Sequence, residues 1–293
     1  MMGRTIVGIG EALWDIFPDG KKIGGAPANF AFHVSQFGLE SCAVSAIGKD
    51  ELGEEIVKTF EESGLEFILE EVDYPTGTVK VKLDDAGVPS YVITENVAWD
   101  NIPFSERLRM LAENCGAVCF GSLAQRSAVS AATIGCFLDA IPEDCLKVFD
   151  INLRQHFYSQ DVICRSMNLA DVLKINDDEV IVVGQMLGYE QSDKAEISRR
   201  LMAEFNMKMV VLTCGAIDSY VFSRDEESRI DTPKVNVVST VGAGDSFTGT
   251  FVAALLKGKD IRTAHELAVE VSAFVCTQTG AMPELPSEIK ARL

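Results

Sequence analysis

"STVGAGDSFTGTFVAALLKG", residues 239–258, runs from a β-branched stretch (Val237, Val238, Thr240, Val241) through Gly242-Ala243-Gly244 to an acid, Asp245, where an apolar-periodic segment begins. The first amides of a helix are unpaired and carry partial positive charge. Glycines there let the backbone close around an anion with little side-chain obstruction. An acid beside such a cradle makes chemical sense as a base toward an incoming hydroxyl. The stretch therefore reads as phosphoryl transfer, with the amides of Gly242, Ala243 and Gly244 on the transferring group and Asp245 taking the proton. The same residues also read as a plain strand-to-helix turn with an Asp near the cap. The stretch is no dinucleotide fingerprint, because Phe247 stands where the third glycine belongs. Nor is there a Walker loop in the chain, since Gly48-Lys49 is followed by Asp50.

Outward from this stretch, short apolar runs alternate with longer amphipathic ones. Thr5–Gly10, Ser41–Ile47, Ala117–Phe120, Lys147–Asp150, Asp171–Ile175 and Met209–Thr213 read as strands. Ala28–Phe37, Leu52–Ser63 and Ala128–Ala140 read as helices, the first two stopped by Gly38 and Gly64. This alternation predicts an α/β fold, a mostly parallel central sheet with helices on both faces. One segment breaks the rhythm. In Thr78–Thr94, Val79, Val81 and Leu83 alternate with polar residues, Asp84-Asp85-Ala86-Gly87 supplies a turn, and Tyr91-Val92-Ile93 returns. That pattern predicts an antiparallel hairpin with one wet face, an appendage joined by the chain around Trp14–Gly25. The expectation is one domain over 1–293 with lid segments at about 12–25 and 71–101.

A hydrophobic content of 47% over 293 residues supports a substantial core. The formal charge of −18 argues against binding nucleic acid, and any anionic substrate needs a local device such as a cation or oriented amides. The start of the chain has too short an apolar run for a signal peptide, and no uncharged stretch reaches the roughly 18 residues of a membrane span. The eight cysteines form no CxxC and are expected to be reduced, buried thiols in a cytoplasmic protein. His33, His156 and His265 do not pair with a cysteine at metal-ligand spacing.

Further segments offer chemistry at strand ends. "IGGAPANFAFHVSQFG" (23–38) opens a helix with Gly24-Gly25 and Asn29, glycines for close approach to a ligand and an amide that both donates and accepts. "GIGEALWDIFPDG" places Asp15 just past the first strand, on the edge where such sheets bind ligands. In "DINLR" Arg154 suits an anionic or hydroxyl group. In "KINDDEV" Asn176 and Glu179 share one face of a first helical turn, where they could hold water around Mg²⁺. "LTCGAIDSY" puts Thr213 and Gly215 at another strand end. Each of these also reads as ordinary cap or turn chemistry.

Taken jointly, Gly24-Gly25-Ala26-Pro27-Ala28-Asn29 and Thr240-Val241-Gly242-Ala243-Gly244-Asp245 resemble the two signatures of the ribokinase-like (PfkB) carbohydrate kinases, over essentially the whole chain. "GEALWD", "GGAPANFA", "NVAWD" (96–100), "GSLAQRS" and "NLR" look most like fructokinases. The resemblance implies an ATP-dependent, Mg²⁺-requiring sugar kinase with Asp245 as base and an anion hole at Gly242, Ala243 and Gly244. Asp15, Gly25, Asn29 and Arg154 would hold the sugar. Asn176, Glu179, Thr213, Gly215 and the segment at Gly280-Ala281 would lie on the nucleotide side, with Glu179 meeting the metal through water. The partners implied are a small sugar and MgATP, with a homodimer through the lid hairpin. Many relatives carry Asp where this chain has Ser239, which places activation by a monovalent cation in doubt. Fructose is the expected acceptor. 2-Keto-3-deoxygluconate, whose carboxylate Arg154 would suit, and a non-catalytic sugar binder are the alternatives.

Overall fold

The computed structural model describes residues 4–17, 20–83, 89–189 and 192–293. The strands are β1 (Thr5–Ile9), β2 (Leu13–Phe17), β3 (Gly20–Gly24), β4 (Ser41–Gly48), β5 (Glu66–Val72), β6 (Gly77–Leu83) and β7 (Pro89–Ile93). They continue with β8 (Cys115–Phe120), β9 (Leu146–Asp150), β10 (Val172–Asn176), β11 (Met209–Thr213), β12 (Asp218–Ser223) and β13 (Glu227–Asp231). Nine form one sheet in the order β13-β12-β11-β10-β9-β8-β1-β4-β5. Every pair from β11 to β5 is parallel, and β12 and β13 add an antiparallel edge.

The parallel strands are apolar runs because both their faces are covered. All eight residues of β4 are buried. Successive side chains serve opposite layers. Val7, Val118, Phe120, Phe149 and Leu173 pack with helical residues such as Leu108, Phe137, Ile163 and Leu201 on one face. Ile6, Ala43, Ala117 and Val148 meet Phe30, Val34, Phe247 and Phe251 on the other. The order reverses at β1, with β4 on one side and β8 on the other. Such a switch point opens a crevice at the carboxyl ends of the strands.

The expected hairpin is present as β6 and β7, though its predicted turn at 84–87 lies outside the described residues. It belongs to a four-stranded sheet, β3-β2-β6-β7, built with the chain around Trp14 as anticipated. Leu13, Asp15, Val79 and Ile93 turn one face of this sheet toward the cleft.

Several boundaries move. The first helix spans Ala26–Ser35, two residues earlier than the pattern predicted, because Pro27 is tolerated in the first turn where its missing N–H has no partner to lose. The second spans Glu51–Glu62, capped by the Asp50 carboxylate accepting from the Gly53 amide. The β-branched residues before Gly242 form no strand. Val237, Val238 and Val241 are 62%, 59% and 46% exposed, on a loop beside the cleft, so β-propensity is overridden by the absence of a neighbouring strand to pair with. The cysteines are free, but Cys136 is exposed rather than buried. No helix among the described residues is long and apolar enough to cross a membrane.

Helix Ala26–Ser35 lies directly on β1. A Cβ at Gly8 would stand 2.1 Å from the Pro27 carbonyl oxygen. Gly8→Ala is therefore expected to destabilise the protein by about 2–3 kcal/mol through overpacking against backbone. Urea unfolding of both proteins checks this, and an unchanged midpoint would contradict the helix-on-strand contact.

Candidate active site

A cleft of about 1200 Å³ follows the carboxyl ends of the strands. One end is lined by Glu11, Leu13, Asp15, Gly25, Asn29, Val79, Ile93 and Arg154. The other is lined by Gly215, Val235, Val237, Ala273 and Cys276. Between them stand Asp150, Lys174, Glu179 and the turn Gly242–Asp245.

Helix Ala243–Leu256 starts at Gly242, whose φ of 78° lies in the left-handed region. A Cβ there would be 2.6 Å from that of Ala281, so glycine is required twice over. The Ala243 amide turns back to the Thr240 carbonyl (3.3 Å), which removes it from the expected anion hole. The amides of Gly242, Gly244 and Asp245 have no backbone acceptor among the described residues. They therefore remain available to an anion.

Asp245 accepts a 2.7 Å hydrogen bond from Asn29 Nδ2, joining groups 216 positions apart. Burial lifts its carboxyl to about 6, and neighbouring Asp150 adds to the rise. The Asn29 bond, Lys174 and Arg154 pull the other way. The Asn29 Oδ1 atom is buried without a partner.

Three charged residues that the motifs did not single out complete this centre. Asp150, at the end of β9, accepts from Thr248 Oγ1 (2.8 Å) and lies 3.7 Å from Lys174 Nζ. Lys174 is 6% exposed. Its Nζ is 3.4 Å from where a Cβ on Gly244 would lie, which aims a cation at the amide cradle. Burial works against that charge, but Asp150, Glu179 and Asp245 together hold its pKa above the ordinary value. Glu11 is 4% exposed and its carboxyl rises to about 7, mainly by burial. The Glu11 and Ala26 amides and Arg154 oppose the shift, and Asp245 adds to it. A charged residue in an otherwise apolar parallel strand, at the end of "VFD" in β9 and in the middle of "VLKIN" in β10, is the signal by which Asp150 and Lys174 could have been found.

The other expected residues divide. Asp15, Asn29 and Arg154 share one end of the cleft, where burial raises the Asp15 pKa and Arg154 opposes the rise. Gly24 and Gly25 are required by the neighbouring chain at 11–15. A Cβ at Gly24 would meet Asp15 Oδ2 at 2.8 Å, and one at Gly25 would meet the Glu11 carbonyl at 2.4 Å. Asn176 and Glu179 form a reciprocal cap. Asn176 Oδ1 accepts from the Glu179 amide, and Glu179 Oε2 accepts from the Asn176 amide, each at 2.9 Å. The other Glu179 oxygen accepts from the Leu153 amide (2.9 Å). Thr213 and Gly215 line the cleft. Gly280 does not. It turns the chain at φ 92° so that Ala281, the next residue, packs on Gly242.

The pfkB family carbohydrate kinase model matches residues 19–288. The chain belongs to this family. It is 29% identical to an ATP-dependent 6-phosphofructokinase of Thermoanaerobacterium thermosaccharolyticum, over 91% of this chain and 82% of that one. It is 27% identical to a fructokinase of Vibrio alginolyticus, over 95% of both. The fold superposes on a fructokinase from Xylella fastidiosa solved with bound ATP, with TM-score 0.85 and 21% identity, over 98% of this chain and 97% of that one. The activity is thus that of a phosphotransferase with an alcohol group as acceptor, on a ribokinase-like fold.

The raised Glu11 carboxyl has a consequence for stability. An acid whose pKa is higher in the folded state binds more protons there. Its contribution is fully present below about 4.5 and lost as pH rises through about 7. Glu11→Gln removes this titration, so the variant should gain on the wild type by on the order of 2–3 kcal/mol between pH 4 and pH 8. Urea midpoints of both proteins at the two pH values check the sign. Parallel behaviour would show that the carboxyl is not held out of water.

Proposed function

We propose that the protein is an ATP-dependent sugar kinase that phosphorylates a primary hydroxyl of a free sugar, with fructose converted to fructose 6-phosphate. The observation that carries this reading is the Asn29–Asp245 pair at the mouth of a helix whose first amides are open, inside one cleft with two differently lined ends. In this reading Asp245 accepts the hydroxyl proton. Its raised pKa makes it a stronger base than an ordinary aspartate, yet one still ionised at neutral pH. Asn29, Asp15 and Arg154 orient the acceptor. The amides at Gly242 and Gly244 and the Lys174 ammonium stabilise charge on the transferring group. MgATP, when bound, supplies that group with much of its charge neutralised by the metal. Its adenine end fits the apolar surface of Val235, Val237 and Ala273.

The fit to Mg²⁺ is to a hydrated ion. Both Glu179 oxygens already accept backbone amides, and no group of three or more His, Cys, Asp or Glu among the described residues forms a cage. Mg²⁺ commonly keeps several waters, which suits contact through water near Asn176 and Glu179. Ser239 gives its hydroxyl oxygen to the Val241 amide (3.2 Å) and brings no charge, which supports weak K⁺ dependence.

Charge supports the uncharged acceptor. Glu11, Asp15 and Asp245 all face Arg154 electrostatically. A phosphate or carboxylate on the acceptor would enter an end where acids outnumber the base, which disfavours fructose 6-phosphate and 2-keto-3-deoxygluconate. The four-stranded sheet, contributed by about 12–25 and 71–101, serves as a lid within one kinase domain spanning 1–293. Its outward residue Val92 is 44% exposed, which supports a homodimer through this sheet. Sedimentation equilibrium is expected to give twice the chain mass, and a monomer at micromolar concentration would remove that assembly.

ADP release with MgATP across fructose, fructose 6-phosphate, 2-keto-3-deoxygluconate, ribose and glucose should peak on fructose. Replacing K⁺ by a bulky organic cation at constant ionic strength should change the rate little. Asp245→Ala should lose about two to four decades of turnover while still binding nucleotide. The wild-type rate should fall as pH drops through about 6, because protonation removes the base. A peak on another acceptor would move the substrate, and near-normal turnover in the variant would remove Asp245 as base.

A further inference from the structure

Away from the reacting centre, Arg126 occupies a position that the chemistry above leaves unused. It ends the short helical turn Leu123–Arg126 after β8, next to a turn residue, Leu123, that lines the cleft. Its Nε and Nη2 each donate to an oxygen of Asp100 at 2.8 Å, and both side chains are 7% exposed. Nη2 also donates to the Thr94 carbonyl (2.6 Å), one residue beyond β7. The guanidinium carbon lies 4.0 Å from the centre of the Trp99 ring and 4.6 Å from that of Phe157.

These contacts join separate pieces of the acceptor end. Thr94 follows Ile93, a cleft residue of the small sheet, and pairs with Thr78 through backbone and hydroxyl. Asp100 also accepts from the Val97 amide, fixing the segment by which the chain leaves that sheet. Phe157 closes the loop that carries Asn152 and Arg154 into the cleft. In that loop Asn152 (φ 43°) and Gln155 (φ 50°) adopt left-handed backbone that non-glycine residues rarely take. Such strain persists only where surroundings over-determine it. Glu179 holds one side of the loop through the Leu153 amide, and Phe157 on Arg126 holds the other.

Stability alone does not account for this arrangement. A buried ion pair is often no better than an apolar pair of the same shape, and here the Arg126 Nη1 atom is buried without a partner. What the pair supplies is fixed geometry. We propose that Arg126 is a positioning residue for acceptor recognition, locking the exit of the small sheet and the Asn152–Phe157 loop into one relation. Ile93 and Arg154 then meet the acceptor at a preset spacing. The proposal rests on the reading that this end of the cleft takes the sugar.

The test combines Arg126→Met with Asp100→Asn, which removes both charges and keeps an acceptor for the Val97 amide. Expected are an unfolding midpoint close to the wild type, an acceptor KM raised on the order of tenfold, and an ATP KM changed by less than about twofold. Arg126→Lys, which keeps the charge but loses the fork and the stack, should fall between and serves if the double variant does not fold. Hydrogen exchange of the double variant should rise together in residues 94–101 and 152–157. An unchanged acceptor KM, or equal rises in both KM values, would overturn the proposal. A wild type that phosphorylates no sugar would sink the kinase reading instead. Exchange would then still decide, with joint loss of protection supporting the lock and loss in one segment alone overturning it.

Discussion

The contact on which the site depends is that between helices Ala26–Ser35 and Ala243–Leu256, which sets Asn29 against Asp245. Neither helix is free to choose its position. The first is pressed onto β1, where the Gly8 side leaves room only for backbone. The second begins at Gly242, wedged on Ala281. A third element ties them together. His33 is fully buried, and burial lowers its pKa to about 4, so the ring is neutral near pH 7 and its Nε2 donates to the Ala281 carbonyl (2.8 Å). The segment that shapes the anion cradle is thus bonded to the helix that presents Asn29. Asp245, Asn29 and the turn at Gly242 belong to one packed unit.

Charge within that unit is arranged by burial rather than by net sign. A protein at −18 still presents a cation to the cradle, because Lys174 is held charged by Asp150, Glu179 and Asp245. The acids respond in turn. Asp245 is raised by burial and by Asp150, which brings an ordinarily weak base toward the range useful at neutral pH. Glu11 rises to about 7, mainly by burial. The end of the cleft lined by Glu11 and Asp15 therefore carries less negative charge near neutrality than its residue types suggest, and the surface is left free to be acidic.

Much of this was readable in the sequence, for reasons that differ by element. The parallel strands announce themselves because burial on both faces demands unbroken apolar runs, and β11 was read to the residue. Asn29 and Asp245 sit in the first turns of their helices, so finding the helix locates the residue, whereas Asp15 stands in the middle of β2 and Arg154 in the loop after β9. Harder were features whose cause lies elsewhere in the chain. Val237 and Val238 look like a strand, yet no strand lies beside them to pair with. Ala243 looks like an anion donor, but its amide is taken by Thr240. The edge strands β12 and β13 are short and mixed in polarity, and only pairing reveals them. Glu11 escaped notice because a glutamate after a glycine in a loop is usually solvated, and its burial comes from the helix that folds over it.

The loop Asn152–Phe157 is held from two sides. Its strained backbone is restrained at Leu153 by Glu179, whose other oxygen caps the turn at Asn176. It is restrained at Phe157 by Arg126, which is bound to the exit of the small sheet. Arg154 sits between these two clamps and lines the cleft. A loop clamped at both ends has few ways to relax within itself. Packed elements tend to hold discrete arrangements rather than deform smoothly. The loop is thus held from both sides, with Arg154 between the two clamps.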